Sequence, residues 1–273
     1  MILVVRGHIR DSFKTKNLLK LIKRIINDNR EIEIYIHTWN VFSTKVSWRN
    51  YVDGHEMIED NNVVTEEIVM NYFNDIKKNI RKVIIEDDSN LELFGSLEGN
   101  VCNSMAPKKG WKNYIHGNYS IFNYLYNNKS DLNEVVVNLR FDILDIHIIG
   151  IKWFSLNSIM KYIRLNTKPG IIYDNIIFPW DIILNESKMG SDNIYISTLG
   201  KVYELLCALH FKLDEIESNF MRLIHQEHLV NETANILFAS DEEVKKEIFQ
   251  SDNQIEIINR IKMPIIQKGD INV

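Results

Sequence analysis

Residues 1–40 hold the pattern that most constrains the fold. Met1–Val5 (MILVV) is a short apolar run. Leu18, Leu19, Ile22, Ile25 and Ile26 then recur at helical spacing, and Ile32, Ile34 and Ile36 alternate with Glu33, Tyr35 and His37 as in a strand. Strand, helix and strand in so short a span form a βαβ unit, whose strands must be parallel because the helix returns the chain to its starting edge. Asp11 or Ser12 is the expected N-cap of the helix. The alternation continues with Thr65 capping a helix through Ile68, Val69, Tyr72, Phe73 and Ile76, then KVIIEDD as a third strand. The predicted class is α/β: a Rossmann-like, mostly parallel sheet flanked by helices, with a helical C-terminal tail.

Asn133–Ile146 (NEVVVNLRFDILDI) reads as a strand buried on both faces, apolar until Arg140, Asp142 and Asp145 appear where it leaves the core. Its carboxyl end is where open α/β sheets bind ligands. RGHIR (Arg6, Gly7, His8, Arg10) and HTWN (Thr38, Trp39) follow the first two strands and reach the same edge. Arginine there suits a phosphate or carboxylate, because its planar fork makes bidentate contacts. The plainer alternative is internal pairing, Arg140 with Asp142 and Arg6 or Arg10 with a nearby acid. Two segments without clear periodicity, residues 41–62 and 89–107, are expected to be loops that shape the pocket.

Trp111, Tyr114, Ile115, Asn118, Tyr119, Phe122, Leu125 and Tyr126 share one helical face, a pattern that core packing explains better than a stacking platform. Lys108, Lys109 and Lys112 crowd the start of that helix, where cations are disfavoured unless an anion compensates them. They either meet such an anion or lie on a solvated face.

Other classes lack their motifs. No GxGxxG or P-loop follows the first strand, no GxSxG elbow occurs, and HQEH (His225–His228) has the wrong spacing for HExxH. Cys102 and Cys207 stand far apart with no ligand spacing, which fits a reducing, cytoplasmic setting and no structural zinc. The net charge of -5 gives no overall drive toward nucleic acid. No uncharged stretch is long enough for a membrane span, so any membrane association is expected to be peripheral or through a partner.

The order of VVRGHIRDS, IYIHTWN, LRFDILD and DNIYIST resembles that of bacterial and viral GT-A-type glycosyltransferases, particularly WavE-like enzymes of polysaccharide and lipopolysaccharide synthesis. The similarity runs from Met1 to about Glu227. It implies a GT-A-like catalytic domain over residues 1–230, with 231–273 a helical extension packed on it. The activity implied is transfer of a sugar from a nucleotide-diphosphate sugar to a hydroxyl of a glycan or lipid-linked glycan. By position, Asp142 takes the place of the acidic motif that binds metal or the sugar diphosphate, Arg140 stabilises negative charge, and Asp192 is a candidate base. Arg6, Gly7, His8, Arg10, Thr38, Trp39, Lys109 and Lys112 line the donor site. His225 joins Asp142 and Asp145 as a ligand for Mn²⁺ or Mg²⁺, although the usual D-x-D spacing is replaced here by Asp142 and Asp145. Other nucleotide-dependent transfer (nucleotidyl or phosphoglycosyl) and a non-catalytic carbohydrate-binding module are the alternatives, and homo-oligomeric association stays open.

Overall fold

The computed structural model describes residues 1–29, 31–45, 59–145, 147–148, 151–152, 154–178, 182–184, 187–189, 192–219 and 226–238. Its centre is a sheet of five strands: β1 (Ile2–Arg6), β2 (Glu33–Trp39), β3 (Ile80–Glu86), β4 (Val135–Arg140) and β5 (Ile194–Thr198). The order is β5-β4-β1-β2-β3. β1 pairs in parallel with β2 and with β4, β2 pairs in parallel with β3, and β5 alone is antiparallel, against β4. This is the mixed, mostly parallel, helix-flanked sheet that the sequence predicts.

Among the described residues six α-helices cover it: α1 (Asn17–Asp28), α2 (Glu66–Tyr72), α3 (Lys108–Asn128), α4 (Leu156–Asn166), α5 (Leu199–Asn219) and α6 (Gln226–Phe238). Because successive strand residues point to opposite faces, each strand feeds two cores. Leu3 and Val5 of β1 join Ile34, Ile36, Val137 and Leu139 against α1, α2 and α4. Ile2 and Val4 join Tyr35, Val136 and Tyr195 against α3, α5 and α6. All five residues of β1 are buried, which is why the run at the amino terminus is uniformly apolar rather than alternating. The same parity sends the polar residues Arg6, His37, Asn138 and Arg140 toward the α3 face.

Local signals are met at the starts of two helices. Thr65 accepts the Ile68 amide at the start of α2, and Ser155 and Ser158 form a reciprocal capping box on α4. The start of α1 differs from expectation. Arg10–Lys14 forms a 3₁₀ turn, and it is the Thr15 hydroxyl, not Asp11 or Ser12, that accepts the Asn17 amide at 3.3 Å. Arg10 has φ +52°, so the chain turns sharply before the helix can begin. Of the expected loop over residues 41–62, a short hairpin of Val41–Ser43 with Asp60–Val63 lies within the described residues. Of the expected extension over 231–273, residues up to Phe238 belong to α6, and 239–273 lies outside the described residues.

The sheet order fixes where a ligand fits. From β1 the chain builds β2 and β3 to one side and β4 and β5 to the other, so the order reverses between β1 and β4. The crevice beyond the carboxyl ends of those strands is the topological switch point.

Candidate functional site at the carboxyl edge of the sheet

Arg6 and Arg140 end β1 and β4 and are register partners across the switch point. Their side chains nevertheless do different work. Arg6 is only 1% exposed and lies between two rings, 4.7 Å from the centroid of Tyr114 and 5.7 Å from that of Tyr195. Its Nε donates to Asn138 Oδ1 at 3.1 Å and its Nη2 to the backbone carbonyl of Asp192. The Tyr114 hydroxyl donates to that same carbonyl at 3.0 Å. Asn138 donates on to Asn118 Oδ1 at 3.0 Å, which also accepts from Tyr195 at 3.2 Å. A buried polar network of this kind fixes geometry, since each missing partner would leave a desolvated group unpaired. What it fixes is the entry of β5, where Asp192 stands.

Arg140 grips Asp142 with both arms of its fork, Nε to Oδ1 at 2.9 Å and Nη2 to Oδ2 at 2.8 Å. Arg10, brought round by its positive φ and by Gly7 at φ +97°, donates to the same Oδ2. Gly7 is tied to the second strand at both ends: its amide donates to the His37 carbonyl at 3.1 Å, and its carbonyl accepts the Thr38 hydroxyl at 3.0 Å. Burial, which disfavours the Arg140 cation, is outweighed by Asp142 and Asp192, and its pKa is raised.

Asp192 is buried, and its carboxyl lies close enough to that of Glu227 on α6 for the two charges to interact. Glu227 is held well above the ordinary carboxylate range, first by burial and then by the negative charge of Asp192, with Arg140 opposing. Glu227 is the site residue that the sequence reading passed over: it is one of the polar residues of HQEH, and it interacts electrostatically with Asp192 and Arg140.

A third cluster lies where β2 and β3 end. His37, wholly buried, meets Glu86 at 2.6 Å, and His116 of α3 approaches the same carboxylate at 3.5 Å. Burial would raise the Glu86 pKa, but the neighbouring His116 and the hydrogen-bonded His37 overcome it and hold the carboxyl below its ordinary range. His8 reaches Asp88 at 3.5 Å, and its ring lies 5.8 Å from Trp39. His8, Arg10, Thr38, Trp39, Arg140, Asp142 and Asp192 are therefore brought to one edge of the sheet.

The helix-start lysines find other partners. Lys108 pairs with Glu217 at 2.7 Å and Lys112 with Asp214 at 3.0 Å, both acids belonging to α5, and Lys112 also donates to the Phe94 carbonyl. Lys109 is exposed. The anion that compensates this helix start is thus part of the chain itself.

Of the residues expected to hold a divalent cation, Asp142 and Asp145 are engaged with other partners. Both oxygens of Asp142 accept from guanidinium groups. Asp145 turns toward the start of α1, where Asn17 Nδ2 lies 3.5 Å from its Oδ1. His225 lies outside the described residues, and among those no group of three or more His, Cys, Asp or Glu could hold a metal ion. Among the described residues no helix is long and apolar enough to cross a membrane.

No protein-family model and no curated protein matches the chain. Among solved structures it is similar to the galactosyltransferase LgtC in complex with donor and acceptor sugar analogs, at 10% identity over 85% of this chain and 70% of that one, with a TM-score of 0.37. An active-site mutant of LgtC is similar at 9% identity over 85% of this chain and 69% of that one, with a TM-score of 0.33.

Proposed function

We propose that the chain is a glycosyltransferase that moves a sugar from a nucleoside-diphosphate sugar to a hydroxyl of a glycan acceptor. One observation carries the reading: at the switch point a carboxyl pair, Asp192 with Glu227, stands beside a guanidinium pair, Arg10 with Arg140. Glycosyl transfer needs both, a group to take the acceptor proton and positive charge near the departing diphosphate. In the step proposed, the acceptor oxygen bonds to the anomeric carbon, the bond from that carbon to the diphosphate oxygen breaks, and the proton passes to Asp192. Holding the two substrates in the crevice supplies the rest by proximity.

The donor pocket proposed comprises Gly7, His8, Arg10, Thr38 and Trp39. Lys112 is left out, because Asp214 holds its ammonium group. The WavE-like order of motifs supports a polysaccharide or lipopolysaccharide acceptor. The test is incubation with a panel of nucleotide sugars and product analysis: nucleoside diphosphate released with a glycosylated acceptor supports the reading. Release of pyrophosphate would replace it with nucleotidyl transfer, and nucleotide binding without turnover would favour a binding module.

A further inference from the structure

A divalent cation at the end of β4 would need carboxylate oxygens whose lone pairs converge on one point. At Asp142 those lone pairs are already committed. Oδ1 accepts from Arg140 Nε, and Oδ2 accepts from both Arg140 Nη2 and Arg10 Nη1. A cation would have to displace two guanidinium groups and then stand beside them, where like charges repel most strongly because the site is poorly hydrated.

The exposure of the three side chains points the same way. The Asp142 side chain is 5% exposed, while those of Arg10 and Arg140 are 19% and 16% exposed. The carboxylate lies underneath and the guanidinium edges lie outermost, so a ligand entering the crevice meets arginine first. Arginine carries five N–H donors, and Asp142 takes two from Arg140 and one from Arg10. Arg10 Nε is buried without a hydrogen-bond partner. A buried donor left unpaired is unfavourable, and an anion in the crevice would satisfy it.

We infer that Arg10 and Arg140, oriented by Asp142, bind the diphosphate of the donor directly and take the place of a divalent cation. The arrangement resembles bidentate arginine recognition of phosphate generally: Asp142 acts as the positioning residue that holds two forks side by side, and the phosphate oxygens accept from their outer edges. This inference rests on the proposed glycosyl transfer for the identity of its ligand.

Calorimetric titration of the full chain with nucleoside diphosphates, in EDTA and in excess Mn²⁺, tests it. The expected result is a Kd in EDTA within about threefold of that in Mn²⁺, weakened about tenfold or more by Arg140→Gln, the loss typical of a charge-assisted hydrogen bond. Arg10→Gln gives the same readout should Arg140→Gln fail to fold. Titration with Mn²⁺ alone is expected to show no binding. Affinity that appears only with Mn²⁺ would overturn the inference and leave the proposed function standing. Absence of binding by any nucleoside diphosphate or nucleotide sugar, with or without metal, would overturn both.

Discussion

Arg6 and Arg140 occupy the same register position on adjacent parallel strands, yet one is a structural cation and the other faces the crevice. The difference follows from what covers them. Tyr114 and Tyr195 enclose Arg6 and give its charge two ring faces, whereas Arg140 reaches past the strand end to Asp142.

Arg6→Ala is therefore expected to act on stability first. It would leave Asn138 Oδ1 and the Asp192 carbonyl without their guanidinium donor and a void between two tyrosines. Removing one partner of a buried charged network costs about 3 kcal/mol or more. Chemical denaturation measures this, and a loss below about 0.5 kcal/mol, the range of surface substitutions, would contradict the role. Arg6→Lys is expected to recover only part, since an ammonium group cannot reproduce the fork.

Gly117→Ala tests a close approach. Glycine to alanine within a helix ordinarily gains up to about 1 kcal/mol. Here an added Cβ would lie 2.5 Å from Cε1 and 2.8 Å from Nδ1 of His37, and 3.1 Å from Trp39 Cζ2. His37 is wholly buried and held by Glu86, so it has no room to retreat. Overpacking of this kind costs about 1–3 kcal/mol, and the net effect should be destabilising. A stabilised variant would show that α3 is packed less closely than described.

Much of this arrangement is legible in the sequence, and the limit is physical. Period-2 alternation places Arg6, His37, Asn138 and Arg140 on one face, and the strand-end rule puts RGHIR, HTWN and LRFD at one edge. Pairing between distant segments is not encoded in any local pattern. Asp214 and Glu217 of α5 neutralise Lys112 and Lys108, a contact that the run KKGWK cannot announce. Glu227 likewise gains its meaning from Asp192, which lies in the turn before β5, whereas Glu227 itself reads as one more polar residue of a helix. Asp142 and Asp145 look like neighbours, but the turn after Arg140 points them at different partners.

The raised pKa of Glu227 makes a prediction about pH. A carboxyl raised in the folded state stabilises the fold fully only below its unfolded value, near 4.5, and that contribution is lost as pH rises through the higher folded value. Glu227→Gln removes the titration. Melting temperatures measured from about pH 5 to about pH 8 should therefore show the variant gaining on the wild type as pH rises. A difference that stays constant across the range would mean that Glu227 titrates as an ordinary surface acid.

Asp192→Asn separates chemistry from structure. The contacts that hold this residue run to its backbone carbonyl, from Arg6 and Tyr114, and a change of side chain leaves them in place. The melting temperature should change little, and the affinity for a nucleoside diphosphate should stay within a few-fold, because the guanidinium groups of Arg10 and Arg140 remain where Asp142 holds them. What the amide cannot do is accept the acceptor's proton. Removal of a general base lowers rates by about 10²–10⁴, and the loss is expected in turnover at saturating donor rather than in donor binding. Full transfer by a well-folded Asp192→Asn enzyme would assign the base elsewhere, and Glu227, the other member of the pair, would be the next residue to substitute.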